Sequence, residues 1–263
     1  MLAMSSILRM LPTRNAKIAR NFGARAASYE AHADLQRAVA ERLARCLPEL
    51  SGPRVLELGC GTGVFSRHLV AHYPDGSFVL SDLAPAMIEE CRRNLRSSSK
   101  RISFEVTDAA RPGVEGPFDL IAMSMTLHWL ADPVAALDRL SRLLAPGGIL
   151  VYATISGESF AEWREVLAAQ GQPSGLIDLP ALPGIVDEEH LVTDADAFAF
   201  LRRIKAIGGL TPKEGYAPLS AGALRRVIRA ADERHGGRIT WHIVYGRVGS
   251  VEASQSSPSI RPA

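Results

Sequence analysis

The chain has 263 residues, 47% hydrophobic and 22% charged, with a formal net charge of +2. That balance fits one α/β domain with an elaborated cap and excludes a strongly charged, core-less chain. No apolar run approaches the roughly 18 residues of a bilayer span, and three cysteines (Cys46, Cys60, Cys91) without metal-type spacing fit a reduced, cytoplasmic setting.

Residues 1–16 are basic and acid-free and read as a disordered extension, with a transit peptide as the alternative. From Ala33 on, Leu35, Val39, Leu43 and Leu47 recur every four residues, which predicts an amphipathic helix ending at Pro48. Apolar runs at 55–58, 77–80, 102–106, 118–123 and 149–154 predict five strands. Helices are expected between them at 64–71 and 85–95. A further helix starts at Asp132 as N-cap with Pro133 first in the helix. It runs through Leu137, Leu140 and Leu144 to the stop Pro146-Gly147-Gly148. Strands alternating with helices call for a parallel sheet with right-handed crossovers.

Beyond residue 155 the rhythm changes. Helices are predicted at 160–169, 197–207 and 221–234, a Pro/Gly-rich loop or lid at 171–184, and a short strand at 190–193. The alternating, β-branched stretch 239–248 predicts a last strand. Residues 249–263, rich in Ser and Pro, read as a disordered tail. Residues 17–248 therefore form a single expected domain, its cap drawn from 17–48 and about 156–235.

The first strand runs into a turn with glycines at 59, 61 and 63, and Asp82 follows the second. A glycine turn lets backbone approach a ligand where a Cβ would collide. A carboxylate at the tip of the second strand is placed for the hydroxyls of a ribose. A dinucleotide site wants its third glycine one residue later, where Val64 stands. Glu57, two residues before Gly59, would repel a pyrophosphate but suits a cofactor carrying an ammonium and a sulfonium. This acid-first pattern resembles the class I S-adenosylmethionine-dependent methyltransferases.

The resemblance implies a Rossmann-like, mostly parallel seven-stranded sheet with helices on both faces and a helical cap. It also implies a cofactor site of Glu57, Gly59, Gly61, Gly63, Asp82, Leu83, Asp108, Ala109 and Ser124. Asp108 is placed for the adenine amino group, Ala109 offers its backbone N–H, and Ser124 lies beside the methionine half. Met123-Ser124-Met125-Thr126-Leu127-His128-Trp129-Leu130 follows the fourth strand and should line the transfer chamber. His128 titrates near neutrality, but a His beside a Trp there reads as a packed or hydrogen-bonding wall before it reads as a base.

A narrower resemblance rests on Lys17-Ile18-Ala19-Arg20-Asn21-Phe22-Gly23-Ala24-Arg25-Ala26-Ala27-Ser28-Tyr29-Glu30, followed by Ala33-Asp34-Leu35-Gln36. It rests also on Trp129, on Ile204-Lys205-Ala206-Ile207-Gly208 and on Thr240-Trp241-His242-Ile243-Val244-Tyr245. These stretches are similar to malonyl-[acyl-carrier-protein] O-methyltransferases of biotin synthesis. The resemblance implies methylation of the free carboxylate of a malonyl thioester on acyl carrier protein, with Tyr29 and Lys205 on the substrate side. Such carriers are acidic, and both ends of the chain are basic: residues 198–247 hold ten Lys/Arg against three acids. Arg202, Arg203, Arg225, Arg226 and Arg229 are the docking candidates. The alternatives are a small-molecule carboxyl or O-methyltransferase, and a non-methylating assembly or hydroxylase-type factor on the same fold. Nucleic acid and membrane partners are not expected: the fourth strand lacks an Asn/Asp-Pro-Pro-aromatic motif and the basic ends lack an aromatic ladder.

Overall fold

The computed structural model describes residues 13–96, 101–193 and 196–249. Seven strands form one sheet in the order β3-β2-β1-β4-β5-β7-β6. They are β1 (Arg54–Leu58), β2 (Ser77–Asp82), β3 (Ile102–Val106), β4 (Phe118–Ser124), β5 (Leu144–Ile155), β6 (Ile185–Thr193) and β7 (Ile239–Gly249). Strands β1 to β5 pair in parallel, and β7 runs antiparallel to both β5 and β6. The helices are α1 (Thr13–Gly23), α2 (Asp34–Ala44), α3 (Ser66–His72), α4 (Pro85–Asn94), α5 (Pro133–Ser141), α6 (Ala161–Ala169), α7 (Ala197–Ala206) and α8 (Ala221–His235). Among the described residues no helix is long and apolar enough to cross a membrane.

The central strands are apolar on both faces because both faces are covered. Val55, Leu80, Leu120 and Val151 pack on one side with Leu43, Phe65 and Leu69. Leu56, Ile121, Met123 and Leu150 pack on the other with Leu137 and Leu140. Successive side chains of a strand point to opposite faces, so a doubly covered parallel strand reads as a continuous apolar run. Sheet order reverses between β1 and β4, which opens a crevice outside their carboxyl ends.

Four expectations are corrected. The extension was set at residues 1–16, yet α1 begins at Thr13. Asn15 is tied to Asp108 and Arg14 to Trp129, so tertiary bonds hold a segment whose composition alone reads as unfolded. Residues 1–12, and the tail beyond Gly249, lie outside the described residues.

The helix from Pro133 ends at Ser141, short of Leu144. Leu144 instead pairs with Phe118 as the first residue of β5, and the Phe118 N–H bonds to the Leu143 carbonyl at 2.8 Å. The strand passes so close there that a Cβ on Gly148 would lie 2.9 Å from the Phe118 oxygen. Helical spacing and strand pairing compete for Leu144, and the sheet prevails.

The short strand at 190–193 extends back to Ile185. Its Asp187-Glu188-Glu189 has low strand propensity, but Arg42 binds Asp187 and Glu189, both at 2.7 Å. Helix α2 stops at Ala44, short of the expected Pro48; the other expected elements begin and end within about two residues, and the Asp132 side chain accepts from the Ala135 N–H as a cap should.

Candidate functional site

Four strand ends meet at one cleft, whose empty space is about 910 Å³ counted out to its mouth. Glu57 comes from β1, Asp82 from the end of β2, Asp108 from just beyond β3, and Ser124 from the end of β4. The glycine turn from Gly59 to Thr62 crosses beneath them. Among the sequence-predicted residues, Tyr29, Glu57, Gly59, Gly61, Asp82, Leu83, Asp108, Ala109, Ser124 and Trp129 line the cleft.

Two glycines are required by this geometry. Gly59 has φ +74°, and a Cβ there would sit 2.1 Å from Thr126 Oγ1. Gly61 has φ +55° with nothing within 4 Å of where its Cβ would be, so its bare backbone faces open cleft. The turn is pinned from below: the Gly59 and Cys60 N–H groups both bond to the Ser81 carbonyl, at 2.7 and 2.8 Å.

The acids are held in different ways. Asp82 accepts from the Gly61 N–H at 3.0 Å and the Ala84 N–H at 2.8 Å. A carboxylate has about four acceptor positions, so both oxygens keep a lone pair for a ligand. Burial raises its pKa to about 6, against the lowering effect of those backbone bonds. Glu57 is 1% exposed and accepts from Ser66 Oγ at 2.5 Å. Burial drives its pKa up to about 8, with Asp82 nearby adding to the rise. Asp108 accepts from the Ala110 N–H at 2.9 Å and from Asn15 Nδ2 at 2.8 Å.

The cap closes over this floor. A 3-10 turn, Ala26–His32, carries Tyr29 and Glu30. Glu30 Oε1 accepts from Thr62, Arg67 and Asn94 at 3.1, 2.9 and 3.0 Å, fastening the turn to the glycine loop and to α3 and α4. Helix α1 lies across the opening: Arg14 bonds to the Trp129 carbonyl at 2.7 Å, and the Phe22 ring meets Trp129 edge-on at 5.2 Å. Burial and the neighbouring Asp82 raise the Tyr29 pKa, so its hydroxyl stays protonated.

Three predicted residues lie elsewhere. Gly63 does not line the cleft; a Cβ there would meet Cys91 Sγ at 3.1 Å, so it serves helix packing. His128 is buried at 8% exposure and turned toward the sheet, with Nδ1 2.9 Å from Thr154 Oγ1. Burial, aided by the charge of Arg14, lowers its pKa to about 3. Its ring is therefore neutral and faces the sheet. Lys205 is exposed on α7, outside the cleft lining, although α7 rests against the turn that carries Tyr29.

Met125 and Thr126, from the run expected to line the chamber, do line the cleft, whereas sequence reasoning missed Asn15 and Gln36, which line it too. Met125 has φ +54°, uncommon for a side chain of its kind, and this turns Thr126 so that its hydroxyl donates to the Gly59 carbonyl at 3.3 Å. A Ser-Met-Thr run carries no signal for that conformation.

Away from the cleft, the described residues hold one further cluster, Glu158, His190 and His242, whose potential ligand atoms lie within 4.8 Å of one another. The two imidazoles stack at 4.3 Å with 12° between their planes.

A methyltransferase-domain family model matches residues 56–150, the segment that carries the glycine turn and the acids. The chain is 38% identical over 249 residues to a malonyl-[acyl-carrier protein] O-methyltransferase of Magnetococcus marinus, covering 89% of this chain and 92% of that one. It is 39% identical over 249 residues to the biotin biosynthesis bifunctional protein BioCD of Bordetella avium, covering 90% of this chain and 52% of that longer protein. In fold it is similar to the N-methyltransferase NodS of Bradyrhizobium japonicum, solved with S-adenosyl-L-homocysteine, at TM-score 0.50 and 18% identity over 88% of this chain and 98% of NodS. With this identity sustained over nearly the whole of both chains, the protein belongs to the malonyl-[acyl-carrier protein] O-methyltransferase family within the class I methyltransferases.

Proposed function

We propose that the chain transfers the methyl group of S-adenosylmethionine to the free carboxylate of a malonyl group held as a thioester on acyl carrier protein, an early step of biotin synthesis, and that it does so in the cytoplasm. The observation that carries the reading is the reach of the similarity. At 249 aligned residues and 89% of this chain it extends far beyond the methyltransferase-domain match at 56–150, into the cap.

The cleft fits that cofactor. Gly61 offers bare backbone beside open space, and Asp82 keeps acceptor positions on both oxygens. Acids at the ends of β1, β2 and β3 favour a cation over a pyrophosphate. In this reading Asp82 binds the ribose hydroxyls. Asp108 takes the adenine amino group, with the Ala109 N–H beside it. Leu83 packs on the base, Glu57 faces the ammonium, and Ser124 lies beside the methionine half. Bound S-adenosylmethionine supplies an electrophilic sulfonium methyl.

The chain's residues need only orient, desolvate and exclude water. A carboxylate with a pKa near 4 is ionised at neutral pH and needs no base, which agrees with a neutral His128 outside the cleft. Positioning of this kind can remove roughly 7–11 kcal/mol from a barrier. Trp129, Phe22 and α1 keep bulk water from the floor. Tyr29, as a protonated phenol, donates to the acyl substrate, and Lys205 meets the malonyl carboxylate at the mouth.

Docking is assigned to α7 and α8. Arg225 and Arg229 line a groove with Leu224, Ile228 and Phe198, the last 54% exposed. Arg202, on the same side, lies over the Phe198 ring at 5.2 Å. Arg202, Arg203, Arg225, Arg226 and Arg229 make no ion pair among the described residues, so an acidic partner can take them without breaking one.

The experiment is S-adenosylhomocysteine formation with malonyl-acyl carrier protein, malonyl-coenzyme A and free malonate as acceptors. The reading expects the carrier-bound substrate to give the highest kcat/KM. Equal turnover of the three would favour a small-molecule enzyme, and cofactor binding without product would favour a non-methylating factor.

A pH effect follows from Glu57. Its folded pKa of about 8 means that it holds a proton at pH 7 in the free chain, whereas a cation nearby favours its ionised form. Binding should therefore release about one proton at pH 7, and affinity for S-adenosylmethionine should rise with pH up to about 8. Calorimetry in buffers of different ionisation enthalpy reads this directly. Identical heats in phosphate and Tris would contradict it.

A further inference from the structure

We infer that the side-chain amide of Gln36 holds the amino-acid end of S-adenosylmethionine, its oxygen toward the ammonium and its NH2 toward the carboxylate. The assignment rests on the cofactor reading above and extends it to a residue with no role so far. Gln36 stands in the first turn of α2, is only 7% exposed and lines the cleft. Its Oε1 is buried without a hydrogen-bond partner, and nothing among the described residues bonds to the rest of the amide. Buried polar groups are ordinarily paired, and leaving one unpaired is destabilising. A leucine or methionine would fill the space without that penalty, so an unsatisfied amide facing a cleft marks a position that a ligand completes.

Topology says which part of the ligand. Asp108 and Asp82 stand at the β3 and β2 ends and take the adenine and ribose. Helix α2 packs on the opposite flank, over β4 and β5. A ligand laid across the strand ends therefore brings its amino-acid end to Gln36. That end is a zwitterion, requiring an acceptor and a donor close together. Glu57 answers only the ammonium. A primary amide presents both functions in one plane, and rotation of the amide exchanges them without loss.

Affinities of S-adenosylhomocysteine and of 5′-methylthioadenosine, which lacks the amino-acid end, test this on the full-length chain. Gln36→Met should weaken S-adenosylhomocysteine by roughly 10- to 100-fold, the range for lost hydrogen bonds to charged groups. It should leave 5′-methylthioadenosine unchanged, and the thermal midpoint of the ligand-free variant should equal or exceed that of the parent. Gln36→Ala, measured in parallel, should give the same selective loss even if its midpoint falls. Equal weakening of both ligands, or of neither, would overturn the assignment. Failure of the parent chain to bind either ligand would overturn the cofactor reading itself and this assignment with it.

Discussion

Replacing Asp82 with alanine is expected to weaken S-adenosylhomocysteine binding by roughly 100- to 10,000-fold, the combined worth of two hydrogen bonds to a charged group. The size follows from two roles meeting in one side chain. In the reading proposed here its oxygens accept the two ribose hydroxyls. They also hold the Gly61 and Ala84 N–H groups at 3.0 and 2.8 Å, so alanine releases the glycine turn that carries the ligand. Asp82→Asn keeps one carbonyl oxygen and should fall between the parent and the alanine variant. Lys205→Ala is the contrasting variant. Lys205 is exposed and outside the cleft lining, so cofactor affinity should persist while the KM for the malonyl carrier substrate rises. Calorimetry with S-adenosylhomocysteine and initial rates separate the two, and equal loss of cofactor binding in both would refute this division of labour.

The double substitution Arg225→Glu with Arg229→Glu should raise the KM for malonyl-acyl carrier protein by roughly tenfold or more at low ionic strength, with turnover of malonyl-coenzyme A unaffected. Both arginines are exposed on α8, line the groove beside Phe198, and are unpaired among the described residues. Reversing them turns an attractive face repulsive toward an acidic partner, and such effects act mainly on encounter. The difference should shrink as salt rises, because exposed charges are screened beyond about 8–10 Å at physiological ionic strength. Parallel losses with both acceptors, or no loss with the carrier, would remove α8 from the docking face.

What the sequence made legible was local. Continuous apolar strands, the glycine turn and the acids at the ends of strands one to three were readable because each follows from neighbouring residues. Asp132-Pro133 announced a helix start by chemistry that needs no partner. The failures were contacts between distant segments. Leu144 sits four residues past Leu140, a spacing helix and strand share equally, and only the pairing with Phe118 decides it. The acidic start of β6 is a strand because Arg42, 145 residues away, takes the Asp187 carboxylate.

The candidate site divides in the same way. The residues expected on its floor do meet at one cleft, whereas its roof depends on bonds such as Asn15 to Asp108, 93 residues apart. His128 beside Trp129 reads in sequence as a packed or hydrogen-bonding wall, and the structure adds its partner, Thr154. Gln36 appeared in the sequence only as part of a resemblance. Its importance lies in a missing partner, which no linear pattern records.

The most direct measurement is the intact mass of malonyl-acyl carrier protein after incubation with the chain and S-adenosylmethionine. The account predicts that the carrier gains the mass of one CH2, and that cleaving the thioester returns the carrier without it and releases the added CH2 with the acyl fragment. A carrier of unchanged mass, alongside a free acid that becomes methylated, would contradict it.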